Sequence, residues 1–143
     1  MKKILLAVFV VACSFRALAD GPNEKVLNAF NKTFQNAQDV SWSENPNSYE
    51  VKFKQNEIMS RVTYDKDGNI VRSLRYYYEQ QLPILVLTKV RTKFPNEKIF
   101  GVTEESSDEG TFYHIVLENE KNWINITTDN DGIVIERKKY DKG

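Results

Sequence analysis

Apolar side chains recur every four residues at Val26, Phe30 and Phe34, and again at Val86, Val90 and Phe94, with Leu27 and Leu87 widening the two stripes. That spacing predicts two amphipathic helices, each burying one face against a sheet. After each stripe the period changes to two. Tyr49, Val51 and Phe53 alternate with Glu50, Lys52 and Lys54, the pattern of a strand with one face buried. Residues 60–64 and 70–74 continue it, and 112–117, 123–128 and 133–137 follow the second helix in the same way. Shorter strands are expected at 40–42 and 99–103. Asp67-Gly68 and Asp131-Gly132 fall between strand patterns, where glycine accepts the positive φ of a hairpin turn.

The pattern is a duplication. Val26, Leu27, Phe30, Phe34 and Asn36 return sixty positions later as Val86, Leu87, Val90, Phe94 and Asn96. Tyr49, Val51 and Phe53 return sixty-four positions later as Tyr113, Ile115 and Leu117. Residues 62–68 return at the same offset as 126–132, so the second copy has gained four residues, placed around 106–110. Three matches in one order identify an internal repeat. The expected architecture is α+β: a helix followed by a small antiparallel sheet, twice, over residues 20–80 and 81–143, with 76–82 as the joint.

The N-terminus reads differently from the rest. Met1-Lys2-Lys3, an apolar run over residues 4–12 and the small-residue close Ala17-Leu18-Ala19 form a secretory signal peptide over residues 1–19. The run is too short to cross a ~30 Å hydrocarbon core, which takes about 20 helical residues, and no later segment is a candidate span. A competing processing reading makes residues 10–13 a lipoprotein box, leaving Cys13 lipid-anchored at the new N-terminus. The expected product is periplasmic or secreted. Of the 143 residues, removal of the first 19 leaves 124, enough for one ordinary domain.

Removal of the leader also changes the chemistry. The single cysteine goes with it, so the mature chain has neither disulfide nor thiolate. Lys2, Lys3 and Arg16 leave as well, taking 20 basic side chains to 17 against 20 acidic ones. A mildly acidic chain without a basic stripe is a poor ligand for nucleic acid. The Asp-x-Asp-Gly turns fail as calcium loops, because position twelve falls on Tyr76 or Tyr140 where a bidentate glutamate is required. The one histidine, His114, sits in a strand pattern on the side opposite Tyr113, Ile115 and Leu117, facing solvent. With no second histidine and no cysteine, neither a nucleophile–base pair nor a transition-metal site is expected. Glu104, Glu105, Asp108 and Glu109 flank serines and Gly110, and are expected in a solvated hairpin loop. No catalytic set, cofactor or metal is expected.

The run Tyr76, Tyr77 and Tyr78 is the remaining candidate. In an extended segment Tyr76 and Tyr78 share one face and Tyr77 takes the other. Exposed tyrosines would serve partner binding, since they offer large, stiff, amphipathic contact area; buried ones would seal the joint between the copies.

Taken together, the chain resembles the PepSY-like, β-lactamase-inhibitor-protein-like family of small exported bacterial proteins. The resemblance rests on Val26, Phe30 and Phe34 leading to Val40 and Trp42, on the strand Tyr49, Val51, Phe53, and on Tyr64, Asp65, Asp67 and Gly68. Leu82-Pro83 before the second helix and Phe94-Pro95 at its end also fit. The resemblance implies tandem PepSY-like repeats and a non-catalytic protein-binding module, with inhibition of a peptidase or other secreted enzyme as the usual role. The β-lactamase inhibitors proper carry disulfides that this chain lacks, and no inhibitory-loop residue carries over. The alternative reading is a periplasmic carrier or sensor of a small ligand, which a cavity lined by Trp42, Phe53 or Trp123 would favour.

Overall fold

The computed structural model describes residues 21–143; the expected signal peptide and Cys13 lie outside the described residues. Helix α1, Glu24–Thr33, starts where Asn23 caps it: the Val26 amide donates to Asn23 Oδ1 at 3.0 Å, and Glu24 sits in the first turn against the helix dipole. Val26 and Phe30, one helical turn apart, are its buried residues. Helix α2, Ile84–Lys93, buries Val86 and Val90 and follows a short 3₁₀ turn at Glu79–Gln81. Pro83 stands at its N-cap, one place ahead of the first turn, and gives no side-chain cap.

After α1 come strands β1 Gln38–Asn45, β2 Ser48–Gln55, β3 Ile58–Asp65 and β4 Ile70–Tyr77. After α2 come β5 Lys98–Ser107, β6 Gly110–Glu118, β7 Asn122–Thr128 and β8 Val134–Asp141. All eight pair antiparallel in chain order, β1 through β8. The expected two small sheets are therefore one sheet, because β4 pairs with β5 from Arg72–Ser107 to Tyr77–Val102. The duplication reaches into the irregularities. Register shifts fall between Gln38 and Ser41 and between Ile99 and Gly101 near the start of each unit, and at Thr63/Tyr64 and Thr127/Thr128 later in each.

Both helices lie on one side of the sheet. The alternation of β2, β3, β6 and β7 points Tyr49, Val51, Phe53, Val62 and Tyr64 at α1, and Tyr113, Ile115, Leu117, Ile124 and Ile126 at α2. Each such side chain contributes about 1.5–3 kcal/mol when fully removed from water, so these two clusters carry the fold. In the first, the Phe30 ring meets Trp42 and Phe53 edge-on at 5.2 and 5.3 Å.

The Asp-Gly turns are structural staples. Asp65 Oδ1 accepts the Asp67 and Asn69 amides, both at 2.9 Å, and Asp129 Oδ1 accepts those of Asp131 and Ile133 at 3.0 and 2.8 Å. Gly132 has φ +77°, and a Cβ there would meet Val86 Cα at 3.0 Å, so the turn tucks directly under α2.

Two expectations are corrected. Phe34 is half-buried while Phe94 is 5% exposed, although they are repeat mates; both cap their helices at the C-terminal end. Phe34 stands beside an open cleft of the first unit. The loop expected around Glu104 to Gly110 is instead strand: β5 runs to Ser107 and only Asp108 and Glu109 turn. The four extra residues lengthen the hairpin, and the acidic pair inside it is neutralised across the sheet.

Candidate functional site

With both helices on one side, no element among the described residues covers the other side of the sheet. Cross-strand register sets its side chains in rows. One row runs Lys54, Met59, Tyr76, Thr103, His114, Thr127 and Glu136 from β2 to β8. The adjacent row runs Ser41, Lys52, Arg61, Leu74, Glu105 and Phe112 from β1 to β6.

A polar string crosses these rows. Arg72 Nε donates to Glu105 Oε1 at 2.7 Å, His114 Nε2 lies 2.8 Å from Glu105 Oε2, and His114 Nδ1 lies 3.1 Å from Thr127 Oγ1. In the tautomer that donates from Nε2 to the Glu105 carboxylate, Nδ1 is left to accept from the Thr127 hydroxyl. The Arg72 guanidinium, and after it His114, hold the Glu105 carboxyl below its ordinary range, against the opposing effect of burial. Glu50 faces Arg61 at 3.5 Å, and Lys138 pairs with Glu136 at 2.7 Å.

The order Thr127, His114, Glu105 follows that of a nucleophile, base and orienting acid, with Thr127 in β7 between β6 and β8 and a register shift at Thr127/Thr128 beside it. Among the described residues no group of three or more His, Cys, Asp or Glu side chains is arranged for a metal.

The three tyrosines separate. Tyr76 is on the open face and 38% exposed, and Tyr78 is in the extended link to the 3₁₀ turn and 70% exposed. Tyr77 is 7% exposed and points to the helix side, where its hydroxyl donates to Glu104 Oε2 at 2.5 Å. Arg75 Nη1 donates to the same carboxylate at 3.0 Å. Burial first, and the Glu104 carboxylate second, push the Tyr77 hydroxyl pKa well above its usual value. Tyr77 thus seals the joint, and Tyr76 and Tyr78 stand out from it.

Other exposed rings lie further along. Phe100 meets Trp123 edge-on at 5.0 Å, Lys142 Nζ lies 4.3 Å over the Trp123 ring, and Tyr140 is the cross-strand neighbour of Trp123. Trp123 is therefore on the face opposite Trp42 and Phe53, and Trp42 lines a hollow of about 340 Å³ with Ser43, Glu44 and Tyr49. A hollow of about 260 Å³ lies over Thr103, His114, Thr127 and Tyr140, and an open polar one of about 610 Å³ lies at the β6–β7 end, over Lys98, Glu118 and Lys142. On the helix side, a cleft of about 200 Å³ touches Phe53.

His114 facing solvent follows from alternation alone. Its partners Glu105 and Thr127 do not, because they depend on the register of three strands.

Solved structures share the fold at low sequence identity. A BLIP-like protein from Bacteroides fragilis superposes with a TM-score of 0.68 at 17% identity, covering 86% of this chain and 89% of its own. A DUF2874 family protein from Bacteroides ovatus gives a TM-score of 0.67 at 19% identity, covering 84% and 89%. One of the "putative periplasmic proteins" of Bacteroides eggerthii gives 0.66 at 18% identity, covering 83% and 89%. No curated protein sequence matches the chain. Among the described residues no helix is long and apolar enough to cross a membrane. The family model described as "Putative beta-lactamase-inhibitor-like, PepSY-like" matches residues 22–72 and 75–136, one stretch on each helix-and-meander unit, and the chain belongs to that family.

Proposed function

We propose that this chain is an exported, non-catalytic protein-binding module that docks a folded partner, a peptidase or other secreted enzyme, on the open face of its sheet. The observation that carries the reading is the placement of both helices on one side of an eight-stranded sheet. Seven inter-strand steps of ~4.8 Å and strands of about eight residues make a face of roughly 34 by 27 Å, on the order of 900 Å². A standard interface takes about 800 Å² from each partner, so the face is the right size for one protein.

Its chemistry also suits a protein surface. Ion pairs hold the charged side chains in place before contact, which lowers the ordering cost of association. Tyr76 and Tyr78 are the proposed contact residues, with Tyr77 positioning them from below. Export rests on the leader-like residues 1–19, and the periplasmic description of one structural neighbour agrees with it.

The test uses residues 20–143 as bait in envelope extract, comparing the wild type with Tyr76→Ala, Tyr78→Ala and the helix-side control Lys32→Ala. A hot-spot truncation of ~2 kcal/mol lowers capture about 30-fold at unchanged unfolding midpoint. Equal capture by all variants, or loss only in the helix-side control, would remove the open face as the docking surface.

A further inference from the structure

We infer that the cleft between α1 and β4 on the helix side is a binding site for a small organic carboxylate with an apolar body. This site is independent of the open face and of the docking reading above. A helix is ~10 Å across and covers only two or three strands, so two helices on eight strands leave β4 uncovered between them. The cleft there holds about 200 Å³, with Phe34, Phe53 and Ile70 among its apolar walls and Ser60, Ser73 and Arg75 among its polar groups, beside the amides of Gln55 and Asn56. That is below the ~300 Å³ at which drug-sized sites begin, so its occupant is small.

Ser60 is the anomaly that points to a ligand. It is 8% exposed, and the little surface it keeps lines the cleft. An apolar side chain at the same place would remove more apolar surface from water and be better for the fold. The molecule contains that alternative. Phe53 pairs with Ser60 in the first unit as Leu117 pairs with Ile124 in the second, and Ile124 is 2% exposed in a filled core. At the place of Ser73 the second unit has Arg137, whose guanidinium lies over the Phe94 ring at 5.4 Å. The same architecture is thus closed in one unit and left open, with hydroxyls facing in, in the other.

The polar groups are matched to an acceptor. Arg75 uses Nη1 on Glu104, which leaves Nε and Nη2 as donors beside the two serine hydroxyls. Guanidinium and hydroxyl donors on neighbouring strands, beside apolar walls, fit a carboxylate carried on a short branched or aromatic body.

The test titrates residues 20–143 with 3-methylbutanoate and with phenylacetate, followed by amide shifts in two-dimensional NMR, with 3-methylbutanamide as the uncharged control. Expected are saturable shifts around Phe53, Ile58 and Ile70 for at least one acid, weakened about 10-fold or more in Arg75→Gln and for the amide. Ser60→Ile, which installs the second unit's own residue, should keep the fold and abolish saturation. No saturation by either acid at tens of millimolar overturns the site. Equal affinity for acid and amide, or in wild type and Arg75→Gln, overturns the carboxylate assignment.

Discussion

Phe34 and Phe94 are the same residue at the same place in two copies of one unit, so truncating each to alanine isolates the effect of environment. Phe94 is 5% exposed, and its ring packs in the second core beneath Arg137. A phenylalanine buries at least ~150 Å², worth about 4 kcal/mol at ~25 cal/mol/Å², and measured truncations with their cavities fall at about 3–5 kcal/mol. Phe34 is half-buried and borders the cleft, so its transfer loss is roughly halved and little closed cavity is left behind. Its contacts with Phe53 at 4.7 Å and Phe30 at 5.5 Å return some of that. The expected cost of Phe34→Ala is about 1–2.5 kcal/mol. Urea unfolding of residues 20–143 reads the difference. With a slope of ~2 kcal/mol/M, Phe94→Ala shifts the midpoint by about 2 M and Phe34→Ala by about 1 M or less. Trp42 and Trp123 sit in different units and give each its own fluorescence signal. Equal costs, or a larger cost at Phe34, would refute the packing argument, as would a cost below ~1 kcal/mol at Phe94.

Two further outcomes follow from described contacts. Gly132→Ala puts a side chain at φ +77° and against Val86 Cα, and should destabilise by more than ~1 kcal/mol in the same urea assay, whereas Gly101→Ala meets nothing within 4 Å and should be near neutral by comparison. Glu105, held below its usual carboxylate range by Arg72 and then His114, stabilises the fold above the unfolded value of ~4.3 and loses that contribution as pH falls through its lower folded value. Glu105→Gln should therefore flatten the acid side of a stability–pH curve; an unchanged slope below pH ~4.5 would count against the Arg72–Glu105–His114 string.

Much of this fold is legible in the chain. Helix stripes at Val26/Phe30 and Val86/Val90, the period-two strands and the Asp-Gly turns all depend on neighbours within a few residues, which local pattern reports faithfully. The family resemblance rests on those same positions. What was not legible is set by pairing between distant strands. Glu104 and Glu105 have loop-like neighbours, yet they are strand in the β4–β5 pair, where Arg75 stands opposite Glu104 and Arg72 reaches Glu105 diagonally. The same pair fuses two expected sheets into one. Of the tyrosine run, alternation separates Tyr77 from its neighbours, but which side carries helices is decided elsewhere in the chain. The cleft escaped because Ser60, in a strand pattern, reads as an ordinary polar interruption until its burial is known.

Strict sequential pairing has a consequence for how the chain assembles. Every ladder joins a strand to the next one along, so contact order is low for a β-rich protein and closure of each hairpin fixes only a few residues. Folding by successive zippering should be fast, and α1 with β1–β4 can be complete before β5 is made. Until β5 arrives, β4 is a bare sheet edge bearing Ile70 and Val71, both exposed even in the finished fold. Such an edge invites pairing with another nascent copy. A chain truncated after Tyr78 would present that edge permanently, and its hazard would be aggregation through β4 rather than loss of the first core.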